Sequence, residues 1–229
     1  PSRRDFGNVH LARTLDEAAA LAVDLAEVEA LAATVPAPVG QGMRGLYTGG
    51  TLAGEAALLT AESLDLALDA KHAEGYMLRT ERHSNIDLGD DMYTRGRPHP
   101  MIDPYARTEM IVALADDRDA GVLLVDVVLG FGGHADPAGA LVEAVEQMRA
   151  ARGEASPVAV VATLTGTTED PQDYEAQVGK LKAAGILVAG SVRVAVLLAL
   201  RLLAPQQPAP GASPALLSQP AAVINIGLR

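Results

Sequence analysis

The turn Gly49-Gly50-Thr51 is the first of four loops in this sequence whose residues could do chemistry. It joins a short apolar run to an Ala-rich segment with helical spacing. Paired glycines let backbone N–H groups approach an anion, and a helix N-terminus adds positive potential. No Asp or Glu of this segment precedes Glu55. We therefore predict that the turn binds phosphate, and the alternative is a tight strand-to-helix turn without a ligand.

The second loop covers residues 87–104 and is longer than the roughly 2–6 residues of an ordinary strand-to-helix connection. Its Arg95 and Arg97 can hold a carboxylate or acyl phosphate through planar bidentate hydrogen bonds. Together with His99 they are predicted to bind the carboxylate of an acceptor or the charge that develops on it. In the alternative interpretation, the loop is exposed and its charges pair with one another. Three carboxylates could offer oxygen ligands to Mg²⁺, but nothing fixes their geometry and we assign no metal: Asp87, Asp90 and Asp91.

The third loop carries His134 on a Gly-rich turn. Such a histidine could accept a phosphoryl group or act as a general base, or it could pack over the turn. We predict the last role, because the charge of Asp136 would repel an incoming phosphate. In the preceding strand Asp126 resembles the aspartate of a phospho-receiver domain, but the first strand lacks the acidic pair that would hold Mg²⁺. In the fourth loop the hydroxyls of residues 165–168 either orient a substrate or cap a helix.

The elements around these loops follow a βαβ rhythm. Short apolar runs alternate with Gly-rich turns and helix-period segments, and the longest runs are apolar on both faces, as parallel strands require. We predict an α/β fold with a doubly wound, mainly parallel sheet and helices on both faces. Strands are expected at residues 42–48, 84–88, 121–129, 158–164, 186–189 and, as a possible sixth, 223–228. Helices are expected to begin near Gly50, Pro104, Pro137, Pro171 and Ser191.

Two further patterns concern the helices and the domain boundary. Three helices are predicted to begin at Asp-Pro pairs, because Asp caps free N–H groups and Pro lacks one: Asp103-Pro104, Asp136-Pro137 and Asp170-Pro171. An amphipathic helix of about 20 residues is predicted after Thr14, with the apolar spacing of one helical face. We expect residues 1–38 to be an N-terminal helical segment and interdomain linker. Residues 39–229 then form the α/β domain, with a Pro-rich excursion over 205–220.

Composition restricts the partners and the compartment. The 229 residues carry 29 acidic and 18 basic side chains, a formal net charge of -11, and no cysteine. This balance opposes both nucleic acids and anionic membranes, so we expect neither as a partner. The absence of cysteine rules out disulfides and thiolate chemistry. No run approaches the roughly 18 apolar residues of a membrane span, and we expect a cytoplasmic protein.

Five ordered segments resemble the FdrA family, a branch of the acyl-CoA synthetase superfamily that includes the succinyl-CoA synthetases. They cover most of the chain: GLYTGGTLAGEA (45–56), IDLGDDMYTRGRPHPMIDP (86–104), LLVDVVLGFGGHADPAG (123–139), TGTTEDPQ (165–172) and VINIGL (223–228). The resemblance implies a flavodoxin-like CoA-ligase architecture. It also implies acyl- or carbamoyl-phosphate transfer, including carbamoyl transfer between oxamate and phosphate in the breakdown of allantoin and other ureides.

Two departures from the family limit what is carried over. The family's N-terminal Rossmann-like domain is missing and the chain lacks an initiating methionine, so we expect a domain excerpt. CoA or a nucleotide would bind only with that missing domain or a partner subunit, and the cofactor is otherwise unknown. The phosphohistidine of the synthetases falls in the loop at 165–172, which contains no histidine, and is not carried over.

Three functional hypotheses follow. The first is a catalytic subdomain with a small anionic substrate, expected to act as a homo-oligomer. The second is a noncatalytic assembly domain of a multi-subunit ligase or transferase, in which the same loops contact another domain. The third is a flavin-binding electron carrier, which few aromatic residues near the loops support: Tyr47, Tyr93 and Phe131.

Overall fold

The computed structural model of the protein describes residues 12–68 and 73–204. Its strands are β1 (Gly42–Tyr47), β2 (Tyr76–Arg79), β3 (His83–Asp87), β4 (Ala120–Val128), β5 (Ala159–Thr165) and β6 (Leu187–Ala189). Its helices are α1 (Leu15–Ala32), α2 (Gly50–Leu64), α3 (Asp91–Thr94), α4 (Tyr105–Ala113), α5 (Pro137–Arg152), α6 (Tyr174–Ala183) and α7 (Val192–Leu203), with a 3₁₀ turn at Ala73–Gly75.

The described strands form one sheet in the order β2-β3-β1-β4-β5-β6. From β3 to β6 every neighbouring pair is parallel, in the order typical of flavodoxin-like folds, while β2 pairs antiparallel with β3 at one edge. The predicted doubly wound, mainly parallel sheet is confirmed. The edge strand β2 was not predicted, and the possible strand at 223–228 lies outside the described residues.

Helices cover both faces of the sheet because the central strands are apolar on both sides. In β4, Leu123 and Val125 face a core layer with α4, α5 and α6, whereas Val122 and Leu124 face a layer with α1, α2 and α7. All four side chains are almost completely buried. Since successive residues of β4 face two apolar layers in turn, the strand has no polar face, unlike a strand in an antiparallel sheet with one side in water.

The Asp-Pro prediction holds for one helix start and fails for another. Asp136 caps α5, accepting a hydrogen bond from the Gly139 N–H at 3.1 Å. The prediction at Asp170 is wrong, because this carboxylate accepts the N–H of Thr167 within its own loop, at 2.6 Å. The cap of α6 is Asp173 instead, three residues later.

The amphipathic helix predicted after Thr14 is confirmed as α1. Thr14 caps it, and the helix packs against α7 with an ion pair between Glu29 and Arg201 at 2.8 Å. The boundary proposed at residue 38 stays a prediction. Among the described residues, no helix is long and apolar enough to cross a membrane.

Arg152 connects the backbone segments near the start of β4, at the end of the sheet opposite the four loops predicted to do chemistry. It is nearly buried, and its guanidinium donates to the backbone carbonyls of Leu114, Asp117 and Ala120 and to that of Ser156. These carbonyls lie on the connection from α4 to β4 and after α5. One side chain therefore satisfies acceptors that would otherwise be buried without a donor.

Replacing Arg152 with Met should cost about 3 kcal/mol of unfolding free energy, since several buried carbonyls lose their donor. Urea denaturation followed by circular dichroism measures this. Lys182→Met, at an exposed position, is the matched control and should stay within about 0.5 kcal/mol. Equal stability of the two variants would contradict the role of Arg152.

Candidate functional site

The candidate site lies at the carboxyl ends of β1, β3 and β4. In an open α/β sheet, ligands bind at the point where the strand order reverses, beyond the carboxyl ends of the strands. Here the chain leaves β1 towards β3 on one side, and β4 pairs on the other. The turn after β1 and the loops after β3 and β4 meet at this point.

Asp126 is the buried centre of the site. It lies on β4, and its side chain has no solvent exposure. Its Oδ1 accepts the Thr48 N–H at 2.8 Å, and its Oδ2 accepts the Gly49 N–H at 2.8 Å. The Thr48 hydroxyl donates to the same carboxylate. Asp126 thus fixes the position of the turn that begins α2.

Arg107 offsets the charge of Asp126. From α4, its Nη1 lies 3.1 Å from Asp126 Oδ1 and 2.7 Å from the Asp126 carbonyl oxygen. Burial lowers the pKa of this guanidinium, and the carboxylate acts in the opposite direction. The pair is enclosed, with Arg107 only 4% exposed. Asp126 is a charged residue inside an otherwise apolar strand, and this pattern in the sequence indicates a buried partner of opposite charge.

The first turn of α2 has no acidic residue of its own, as predicted, but a carboxylate from elsewhere in the fold lies against the Gly49-Gly50-Thr51 turn. Asp126 comes from another strand and already accepts the Gly49 N–H. Within the described part of the chain, no acceptor meets the next three N–H groups, those of Gly50, Thr51 and Leu52. The helix therefore keeps free donors beside a carboxylate whose charge Arg107 balances. Phosphate binding at the turn stays a prediction.

The turn at Gly190-Ser191 also has a carboxylate from another element beside it. The Gly190 N–H donates to Oε1 of Glu27 on α1, at 2.7 Å. The two residues are far apart in sequence, so local patterns did not show the contact. The carboxylate places a negative charge next to the start of α7, which disfavours an anion there.

Asp87 and His99 lie together on the other side of the α2 turn. A Cβ placed on Gly89 would be 2.7 Å from His99 Nε2 and 3.0 Å from Asp87 Oδ1. A Cβ on Gly50 would be 2.6 Å from Asp87 Oδ2. Burial raises the pKa of Asp87, and Asp90 and Asp126 act in the same direction, while the Gly89 N–H and His99 lower it. Sequence reasoning gave Asp87 no catalytic role.

The three predicted acceptor-binding residues occupy different surroundings. His99 lines an open cavity of about 270 Å³ whose other walls are mainly apolar, among them Met101, Ile102 and Phe131. Arg97 lines a neighbouring cavity of about 340 Å³ between Tyr93 and Tyr105.

Arg95 lines neither of these two cavities. Both arginines are exposed, and within the described ranges neither forms an ion pair. Their role in binding an acceptor stays a prediction.

Gln172 fixes the loop after β4. Its Oε1 accepts the Gly130 N–H at 3.1 Å, and its Nε2 donates to the Gly130 and His134 carbonyls at 2.8 and 3.2 Å. The side chain is nearly buried, and its amide forms hydrogen bonds with the loop backbone as a neighbouring strand would. Phe131 follows Gly130 and is 90% exposed. Its aromatic ring therefore lies in solvent on a loop that Gln172 fixes.

His134 belongs to the same loop but not to the cavity beside His99. Its Nδ1 accepts the Asp136 N–H at 3.1 Å, and its own N–H donates to the Met101 carbonyl at 2.8 Å. These contacts agree with a histidine that shapes its turn. Over residues 12–68 and 73–204, no group of three or more His, Asp or Glu residues is placed to hold a metal ion.

Comparison with known proteins adds the family. The family model described as CoA-ligase matches residues 46–202, more than half of the chain. The chain belongs to the CoA-ligase family. The match includes the α2 turn, Asp87, His99 and the Arg107–Asp126 pair.

Two further similarities concern single proteins. The uncharacterized protein YahF of Escherichia coli (strain K12) is 35% identical over 155 residues, which are 65% of this chain and 30% of YahF. The crystal structure of PH0766 from Pyrococcus horikoshii OT3 aligns with a TM-score of 0.47 at 17% identity, over 85% of this chain and 40% of PH0766. The chain thus spans less than half the length of either protein.

The ion pair of Arg107 and Asp126 is open to a double-mutant cycle. Asp126→Asn and Arg107→Met should each cost about 3–5 kcal/mol of unfolding free energy, because each leaves an unpaired buried charge. The double variant should cost clearly less than the two together. Urea denaturation gives the three values, and strictly additive losses would show that the charges do not depend on each other.

Proposed function

We propose that this domain binds the phosphate of an acyl or carbamoyl phosphate at the α2 turn and takes part in transfer of the acyl or carbamoyl group. In this proposal it is part of a larger FdrA-like protein of the acyl-CoA synthetase superfamily. The observation that carries the proposal is a set of three N–H groups, those of Gly50, Thr51 and Leu52, that no acceptor from residues 12–68 or 73–204 meets, at the point where the strand order reverses.

Electrostatics supports a phosphate at this turn. The N-terminus of a helix has a partial positive charge of roughly half an elementary charge. The first turn of α2 contains no acidic residue. The nearest buried carboxylate, Asp126, is balanced by Arg107. An incoming phosphate therefore meets donors and a helix dipole, with Asp87 as the one flanking carboxylate that has no cation partner among the described residues.

The acceptor would bind on the side of the loop after β3. Arg95 and Arg97 project from this loop without ion-pair partners in the described ranges and can hold a carboxylate. Oxamate, in the breakdown of allantoin and related ureides, is the acceptor that we propose. His99 follows these arginines in the chain and lies next to Asp87, around Gly89.

A second domain or subunit would complete the site. We propose that an N-terminal Rossmann-like domain or a partner subunit supplies the missing wall, within a cytoplasmic homo-oligomer. CoA or a nucleotide would bind only with that wall, and no step proposed for this chain's residues passes through either. Transfer sites gain roughly 7–11 kcal/mol from holding two reactants together, so an open half-site should transfer very slowly.

A noncatalytic assembly domain is the second candidate, and one observation favours it. Phe131 is 90% exposed on a loop that Gln172 holds in place, which is typical of a residue that contacts another protein surface. In that case the α2 turn would bind no phosphate, and the chemistry would lie in another domain.

Replacing Thr51 with Asp separates the two candidates. Thr51 is exposed, and an aspartate in the first turn favours the helix, so stability should be unchanged or slightly higher. Affinity for carbamoyl phosphate and for inorganic phosphate, measured by calorimetry, should fall roughly tenfold or more because like charges repel at close range.

Thr51→Asn is the matched control for this experiment, since it changes the side chain to a similar shape without adding charge. It should bind phosphate like the natural protein. If neither the natural protein nor Thr51→Asn binds phosphate, or if Thr51→Asp binds it equally well, the phosphate site is wrong and the assembly domain is favoured.

A further inference from the structure

We propose that Asp87 is the general base of this site and that His99 acts beside it as a hydrogen-bond donor. The assignment rests on the proposed transfer function and extends it to named chemical roles. It begins from the meeting of these two side chains around Gly89, next to the N-terminus of α2. Sequence analysis placed His99 near the acceptor but gave neither residue a separate role in proton transfer.

The geometry brings the two groups together without a direct bond between them. His99 Nε2 and Asp87 Oδ1 both lie around the position of a Cβ on Gly89, at 2.7 and 3.0 Å. No hydrogen bond or ion pair joins these two side chains in the described structure. Only glycine fits at position 89, and its lack of a side chain lets the imidazole and the carboxylate lie side by side beside the α2 turn. Any larger residue at this position would contact both side chains.

The tautomer of His99 decides which group donates. The Met101 N–H donates to Nδ1 of His99 at 3.2 Å. A neutral imidazole carries one proton, so with Nδ1 as acceptor the proton lies on Nε2. Nε2 is the atom that faces Gly89. Neutral His99 can therefore donate a hydrogen bond into the site but cannot take a proton at Nε2.

Asp87 is the acceptor that remains. Its Oδ1 accepts the Gly89 N–H at 2.8 Å, which orients the carboxylate. Its Oδ2 faces Gly50, and no donor from the described residues meets this oxygen. Oδ2 is therefore the carboxylate oxygen that a ligand at the start of α2 would meet.

The surroundings make Asp87 a stronger base than an exposed aspartate. Partial burial raises its pKa most, and the charges of Asp90 and Asp126 raise it further. The Gly89 N–H and His99 oppose this rise. Arg107 is bound to Asp126 and does not form an ion pair with Asp87. A higher pKa increases the tendency of an ionised carboxylate to take a proton from a substrate.

The reaction balances with these two roles. The nitrogen of an acceptor amide attacks the carbonyl carbon of the carbamoyl or acyl phosphate, so a C–N bond forms. The C–O bond to phosphate breaks, and its electron pair leaves with the phosphate. The proton of the amide nitrogen passes to Oδ2 of Asp87. His99 Nε2–H stabilises the oxygen that becomes negative, and keeps its own proton.

The first test needs no substrate. In ¹⁵N-labelled protein, the ring signals of His99 are identified by their loss in His99→Gln. Above pH 8 they should show the proton on Nε2, and a proton on Nδ1 would overturn the donor role. In ¹³C-labelled protein, the carboxyl carbon of Asp87 should titrate above the ordinary aspartate value of about 3.9. Titration at or below that value would overturn its role as a strengthened base.

The second test uses full-length protein with carbamoyl phosphate and oxamate. Asp87→Asn should lower kcat roughly 100-fold or more, the usual effect of a general base. The same variant should bind phosphate equally well or more tightly, since it removes a like charge. Asp91→Asn is the matched control, because Asp91 is exposed on the same loop, and it should change neither quantity.

The outcomes separate the two proposals. If the natural protein transfers the carbamoyl group and Asp87→Asn retains kcat, the assignment of Asp87 is wrong and the proposed function stands. If the natural protein transfers nothing to any acceptor, the proposed function fails and the general-base role fails with it. A loss of both phosphate binding and kcat in Asp87→Asn would show a structural role for Asp87 and also overturn the assignment.

Discussion

The loops at the carboxyl ends of β1, β3 and β4 depend on one interaction, the buried ion pair between Arg107 and Asp126. Asp126 lies inside an apolar strand, where an unpaired carboxylate would be very costly. It is stabilised by Arg107 from α4 and by the N–H groups of Thr48 and Gly49. One carboxylate therefore connects β4, the turn after β1 and the helix on the opposite face. This arrangement sets the direction in which α2 begins.

The same pair also determines what the site can bind. Because the charge of Asp126 is balanced by Arg107, the start of α2 keeps its positive potential for a ligand. At the start of α7 a carboxylate also accepts one backbone N–H, that of Gly190, but this carboxylate belongs to Glu27, which has no ion pair among the described residues. The two helix starts lie on the same side of the sheet but differ in their free donors. Among the described residues, Asp87, His99 and the N–H groups without acceptors meet at the α2 turn, which is where we propose that the substrate binds.

Local patterns were sufficient for the sheet but not for the contacts between its loops. Apolar runs and Gly-rich turns predicted the five parallel strands, because the apolar residues of each run are the residues that the sheet buries. The edge strand β2 has an apolar run of only three residues, Tyr76-Met77-Leu78, and was missed. The Arg107–Asp126 pair spans 19 residues and the Glu27–Gly190 contact spans 163. Neither leaves a periodic signal, so the electrostatics of the two turns followed only from the fold.

The central claim is that the α2 turn binds the phosphate of the substrate. The most direct measurement is a backbone amide NMR titration of the protein with inorganic phosphate and with carbamoyl phosphate. We expect the amides of Gly50, Thr51 and Leu52 to show the largest shifts and to saturate together, while the Gly190 amide changes little. Largest shifts at the start of α7, or none at these three amides, would contradict it.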